Sequence, residues 1–218
     1  MNYTKTNRDT YDTISENWET KRKSIWTPVK EFLEVNKNFS KLLDLGCGTG
    51  RFLELAESLN YKKKNLVGAD FSKGQLELVK KKRFKTIQTE LTNLKFKDKE
   101  FDLIICIAAH HHLLDKQEQL KSLEERNRIL KDEGKILLAN WFPEKKFIEK
   151  QLEKKKFEFL NKEKQEVKVT YTFQENKFDR YYYLFKEKEL IDLCTEVNFK
   201  IENKEYNNGN LYLTLNKQ

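Results

Sequence analysis

Residues 41–50 read KLLDLGCGTG, and the succession of residue types in that stretch decides the fold. Leu42, Leu43 and Leu45 form a short apolar run of buried-strand character, with Asp44 set within it. Gly46, Gly48 and Gly50 follow at alternating positions, and then Phe52, Leu53, Leu55, Ala56 and Leu59 recur at helical spacing. A strand that breaks into a glycine-rich turn and then a helix lets a ligand lie against bare backbone. The helix N-terminus beyond the turn adds N–H groups that have no partner within the helix. Dinucleotide enzymes build this turn as G-x-G-x-x-G and set a pyrophosphate on the helix dipole. Here the spacing is G-x-G-x-G, with an acid two residues before the first glycine.

Outward from that stretch, strand and helix alternate, which predicts a doubly wound α/β sheet. Residues 3–36 read as two helices, the first with Tyr11, Ile14 and Trp18 on one face, the second with Pro28 in its first turn. NLVGAD (65–70) is the second strand and ends on Asp70, about 20 residues past the turn, where an acid suits ribose hydroxyls. A helix over 72–82 and a strand over 84–88 follow. FDLIICIAA (101–109) is apolar on both faces, as a central parallel strand is, and runs into His110, His111 and His112. A helix over 115–131 is expected to end near Gly134, in a C-cap region, before the strand KILLANW (135–141). Residues 143–180 break the rhythm: they are charged, helical at first, and then EVKVTYTFQ alternates like an edge strand. A helix over 186–196 and strands near 199–206 and 211–215 close the chain, with a hairpin turn at Asn207-Asn208-Gly209.

The 218 residues are enough for one domain with a sizeable core. We read 1–218 as a single domain, with 1–36 as a helical cover and 143–180 as a substrate-side insertion. The net charge of +8 permits a nucleic-acid partner, but 36 of the 43 basic residues are Lys, a bias that codon composition alone produces. The seven arginines are therefore the more informative cations. Cys47, Cys106 and Cys194 are odd in number and lack C-x-x-C spacing, which predicts a reducing compartment and no intrinsic metal site. Adjacent histidines lack the i, i+4 spacing of a metal pair. A polar N-terminus and the absence of a long apolar run predict a cytoplasmic protein with no membrane role.

DLGCGTG resembles motif I of the class I S-adenosylmethionine-dependent methyltransferases. The resemblance implies a Rossmann-like seven-stranded mixed sheet, mostly parallel with an antiparallel last strand, and S-adenosyl-L-methionine as cofactor. It implies that Asp44 supports the methionine amino group and that Gly46, Gly48 and Gly50 back the ligand. Asp70, Phe71 on the adenine face, Glu90 at the adenine amino group, Leu91, Ile107 and His112 complete the cofactor set. YDTISENWETKR, IAAHHHL, RNRILKDEGKILLANW and DRYYYLF further resemble the tRNA methyltransferases that esterify 5-carboxymethyluridine at the wobble position of the anticodon. The chain departs from that group at Tyr183, where His is usual.

That second resemblance implies a tRNA anticodon loop as substrate and a small zinc-binding activator subunit as heterodimer partner, paired with a sheet edge. A carboxylate is already ionised at neutral pH and needs no strong base, only a group that holds it. Arg does this best through its forked geometry, so Arg180 and His111 are the expected catalytic residues. Arg22, Trp26, Trp141 and Tyr181 are the expected substrate contacts, Trp141 and Tyr181 by stacking on a flipped base. The alternative is a class I methyltransferase acting on a small-molecule carboxylate or another small acceptor. A closed apolar lid over 143–180 would favour that reading; a basic rim would favour tRNA.

Overall fold

Strands with no exposed face need cover on both sides, and the strand at 42–45 is buried at every position. In the computed structural model, which describes residues 3–21, 26–161 and 165–218, that cover comes from helices on either face of a seven-stranded sheet. The chain runs α1 (Tyr3–Lys21), α2 (Thr27–Val35), β1 (Leu42–Leu45), α3 (Arg51–Ser58), β2 (Leu66–Asp70), α4 (Lys73–Lys81) and β3 (Lys85–Gln88). It continues with β4 (Phe101–Ile107), α5 (Lys116–Ile129), β5 (Leu130–Trp141), α6 (Lys145–Glu153), β6 (Phe157–Asn161) and β7 (Glu166–Phe173). The last elements are β8 (Asn176–Tyr183), α7 (Glu187–Glu196), β9 (Phe199–Asn207) and β10 (Asn210–Lys217).

The sheet order is β3-β2-β1-β4-β5-β10-β9. Strands β1 to β5 pair in parallel, and β10 runs antiparallel to both β5 and β9. Alternate residues of each strand point to opposite faces, so neighbours in sequence enter different cores. Leu43, Ile104, Ile136 and Leu213 pack with α5 and α7, whereas Leu42, Leu103, Leu137 and Tyr212 pack with α2, α3 and α4. The topology and the antiparallel β10 agree with the sequence expectation. The hairpin turn lies at Asn208-Gly209, both at positive φ (47° and 70°).

Two local expectations are corrected. Gly134 lies inside β5, which starts at Leu130, so it is no helix cap. A Cβ there would sit 2.7 Å from Leu130 Cδ1 and 2.8 Å from the Asp102 carbonyl oxygen, so close packing against β4, not helix termination, requires glycine. Strand β7 is not an edge: it is the middle of a separate antiparallel sheet, β6-β7-β8, built largely from the 143–180 segment.

Helix α1 ties this small sheet to the large one. The Asn7 side chain pairs with both backbone groups of Tyr181, accepting from its N–H at 2.8 Å and donating to its carbonyl at 3.0 Å. Thr10 Oγ1 donates to the Asp179 carbonyl at 3.1 Å, and Tyr171 OH donates to the Asn17 side chain. Together they cover an edge of β8 that would otherwise present free pairing groups. On its other side, Asp12 Oδ1 accepts from Ser72 Oγ (2.6 Å) and the Gly74 N–H (2.8 Å), at the N-terminus of α4.

Candidate active site

The glycine turn is pinned to β2. The N–H groups of Gly46 and Cys47 both donate to the Ala69 carbonyl, at 2.7 and 3.0 Å. Gly46 has φ +75°, and a Cβ on it would lie 2.3 Å from Ala109 Cβ, so the exit of β4 closes directly over this residue. The Gly48 N–H donates to Asp70 Oδ2, and the Ser72 N–H to Asp70 Oδ1, both at 2.9 Å. Gly46 and Gly48 line a cavity of about 610 Å³ at the C-terminal ends of the parallel strands. Gly50 stands behind that lining, at φ +82° as the N-cap residue of α3, against Val79 of α4.

Asp70, Phe71, Glu90, Leu91, Ile107 and His112 are all on the cavity wall. Glu90 is held by Arg8 of α1 at 2.9 Å, a partner that a local motif does not reveal. Asp44 sits one layer behind the wall formed by Leu45 to Thr49 and Arg51. Burial pushes its carboxyl up to about 8, against the lowering influence of the Arg51 guanidinium, and Asp70 raises it further. Burial likewise lifts Asp70 to about 6, despite its backbone hydrogen bonds. Asp44 therefore stands directly behind the cavity lining, with its carboxyl in a low-dielectric layer.

The three histidines form one 3-10 turn after β4. Such a turn has three residues per revolution, so successive side chains diverge by about a third of a circle. His110 turns into the core, where Arg126 Nη1 donates to its Nδ1 at 3.2 Å and Phe185 stacks on it. Burial, with the Arg126 charge beside it, keeps His110 neutral. His111 faces the cavity; its Nδ1 accepts from the Trp141 N–H at 3.0 Å, which places the proton of the neutral ring on Nε2. His112 Nδ1 meets the Tyr181 carbonyl at 2.8 Å and so carries the hydrogen, leaving Nε2 to accept from Tyr11 OH at 3.1 Å.

Arg180 and Tyr182, two apart on β8, share the cavity face. Arg180 is buried, with its guanidinium 5.4 and 5.6 Å from the Tyr171 and Tyr182 rings and a hydrogen bond to Tyr11. The carboxylate of neighbouring Asp179 instead accepts from Thr170 Oγ1 at 2.7 Å. Tyr181 points to the other side of the strand and packs on Tyr3, 4.6 Å between ring centroids, so its reading as a substrate contact is corrected. Trp26 reaches the cavity edge over Arg51, 4.8 Å from its guanidinium carbon. Trp141 lies among Phe147, Phe157 and Tyr182, at 5.4–5.8 Å between centroids. Arg22 and the Trp18 side chain lie outside the described residues.

Sequence reasoning missed Arg51, Gln75, Phe147 and the functional position of Tyr11. Gln75 carries the clearest mark of an absent ligand. Its side chain is buried on the cavity wall beside Gly48, and neither amide atom has a partner among the described residues. Asp44 Oδ2 is also without one. A buried carboxyl layer plus an orphaned amide fits a ligand that is cationic at one end and polar along its length. We expect Gln75→Leu to raise the apo melting temperature, because an unsatisfied amide is removed, and to weaken cofactor binding roughly tenfold. Calorimetric titration alongside thermal melts checks both signs.

Residues 43–138, from β1 into β5, match the family described as a methyltransferase domain. That match covers a little under half of the chain. The orphaned polar atoms and the lining of the cavity fit S-adenosylmethionine as cofactor. An Arabidopsis thaliana tRNA (carboxymethyluridine(34)-5-O)-methyltransferase is 31% identical to the chain over 62% of its length, but over only 32% of its own. A human protein named "Probable tRNA methyltransferase 9B" is 31% identical over 56% of this chain and 26% of that protein. The chain thus spans about a quarter to a third of those relatives. A candidate methyltransferase of Encephalitozoon cuniculi is 28% identical over 95% of this chain and 93% of that one. In fold, a Pyrococcus horikoshii protein superposes with a TM-score of 0.71 at 21% identity, covering 100% of this chain and 99% of that one. A Haloferax volcanii structure, solved as a complex with the Trm112 methyltransferase activator, gives 0.70 at 12% identity over 97% of both chains.

The methyltransferase domain as matched ends before Trp141. Arg180, Tyr182 and α6 therefore lie outside it, yet they line the same cavity as the glycine turn. Among the described residues no group of three or more His, Cys, Asp and Glu side chains is placed to hold a metal ion. No described helix is long and apolar enough to cross a membrane.

Proposed function

We propose that this chain transfers a methyl group from S-adenosylmethionine to the carboxylate of 5-carboxymethyluridine at the wobble position of tRNA. The observation that carries the reading is Arg180: a buried guanidinium in one cavity with the glycine turn and His111. The names of the Arabidopsis and human relatives support the substrate class.

S-adenosylmethionine, when bound, supplies an electrophilic sulfonium methyl. Asp70, Phe71, Leu91 and Glu90 on the cavity wall would hold its ribose and adenine, and Asp44 behind that wall would favour its cationic end. Arg180 grips the substrate carboxylate, and His111 donates to it from Nε2. His112 acts from the protein side, holding Tyr11 and, through it, the Arg180 guanidinium. The carboxylate is already an anion, so no base need take a proton; forming its O–CH3 bond would break the S–CH3 bond, and the sulfonium would leave as a neutral thioether. Such a reaction gains from aromatic walls that exclude water, here Trp141, Phe157 and Tyr182. Trp26 contacts substrate from the opposite rim. The partner is a small zinc-binding activator that pairs with an edge of the large sheet, β3 or β9, and shields it.

The deciding experiment is tritium transfer from labelled S-adenosylmethionine to tRNA lacking the ester, with and without such an activator. A base-labile label on the wobble uridine establishes the reaction. No transfer with the activator present, despite measurable cofactor binding, moves the assignment to a small-molecule carboxylate.

A further inference from the structure

Helix α6 lies over the mouth of the cavity and sorts its side chains by chemistry around its circumference. Phe147 and Gln151 line the cavity, and Ile148 packs against the aromatic cluster of the small sheet. Immediately beside that inner face run Lys146, Lys150 and Lys154, at i, i+4 and i+8, all exposed. At about 1.5 Å of rise per residue they stand roughly 6 Å apart in a row. The acids Glu149 and Glu153 border the row on its outer side, at i+3 from Lys146 and Lys150, but Glu149 turns to Lys145 at 3.8 Å and neither is bridged to the row. Lys156, just past the helix, is on the cavity rim.

The three-lysine row has no ion-pair partner among the described residues, in contrast to Lys168 on the neighbouring β7, which is bridged to Glu158 at 2.5 Å. Like charges at i, i+4 repel; the bordering glutamates offset part of that repulsion, and a polyanion would relieve the rest. Phe147 is 43% exposed at the end of this row and meets Trp141 edge-on at 5.8 Å, so an aromatic face accompanies the cations at the entrance. Evenly spaced cations beside an exposed ring suit a nucleic-acid strand, whose phosphates recur while its bases stack.

We propose that the Lys146–Lys150–Lys154 row of α6 is the docking track for the phosphate backbone of the RNA substrate, leading into the cavity past Lys156 and Phe147. The proposal rests on the tRNA reading above and adds the surface that takes the RNA. The track tolerates any sequence, because phosphate contacts position a nucleic acid without reading it. Selection of the modified uridine is left to the cavity.

The test is the variant Lys146→Gln/Lys150→Gln/Lys154→Gln, which keeps side chains of similar helix propensity. Binding of tRNA lacking the ester is measured against salt concentration, with cofactor affinity measured in parallel. Each lost phosphate contact to a single strand lowers the log–log salt slope by about 0.7, so the slope should fall by about 2 and affinity drop at least tenfold at low salt. Cofactor affinity stays unchanged. Lys37→Gln/Lys62→Gln/Lys64→Gln, at the opposite end of the strands, should keep most of the wild-type slope. An unchanged slope in the α6 variant, with wild-type protein still methylating the wobble uridine, overturns the track and leaves the reaction standing. Wild-type protein that neither binds nor methylates the tRNA overturns both. Loss of binding to anionic phospholipid vesicles, with tRNA binding intact, also overturns the track, since the row would then serve a membrane surface.

Discussion

Arg180→Ala is expected to lower kcat/KM for the tRNA substrate by about a thousandfold, with cofactor affinity within twofold of wild type. Leaving one member of a buried charge pair without its partner costs about 3–5 kcal/mol, and each 1.36 kcal/mol is a factor of ten in rate. The residue is suited to that role because its surroundings are aromatic and hydroxylic: Tyr11, Tyr171 and Tyr182 steady the guanidinium, and its pKa is held up despite burial. Arg180→Lys keeps the charge but loses the fork, and should fall between the two. Added guanidinium should partly restore the alanine variant, a response that a purely structural arginine would not give. A variant that binds S-adenosylmethionine poorly yet turns over bound cofactor normally would assign Arg180 to the cofactor instead.

The second large effect concerns pH. Burial lifts the Asp44 carboxyl from 3.8 to about 8 in the ligand-free protein, and that of Asp70 to about 6. Between about pH 4 and these values the folded chain binds protons that the unfolded chain has released. Apo stability should therefore be greatest at the acid end of the window and decline as pH rises through 6 and then 8. Cofactor binding has the opposite slope, because a cationic ligand is favoured by the ionised carboxylate. In the limit that only ionised Asp44 supports binding, the dissociation constant rises about tenfold for each pH unit below 8. Above roughly pH 8 the ligand's own amino group starts to lose its proton, so affinity peaks near there. Asp44→Asn should flatten the acid limb, and Arg51→Gln should move it to higher pH, since the Arg51 guanidinium opposes the rise. A wild-type titration flat from pH 6 to 8 would sink this account.

The sequence by itself determined the large sheet. Apolar runs such as Leu103–Ile107 are buried whatever surrounds them, and glycines at Gly46 and Gly48 specify a turn that other residues cannot make. Asp70 could be placed because it closes a strand beside that turn, a local relation. The substrate wall was legible only in part, because it is assembled from elements distant in the chain. One residue of register on β8 decides that Arg180 and Tyr182 face the cavity and Tyr181 does not. Three consecutive histidines look alike in a string, but a tight turn sends His110 to Arg126, His111 to Trp141 and His112 to Tyr11. Gly50 and Gly134 both read as members of local motifs; the φ of +82° at Gly50 is such a local requirement, but Gly134 is required by Leu130 and Asp102, packed against it only by folding. Local pattern fixes which face of an element is buried; what it is buried against is decided by long-range packing, and the chemistry of this cavity depends on the latter.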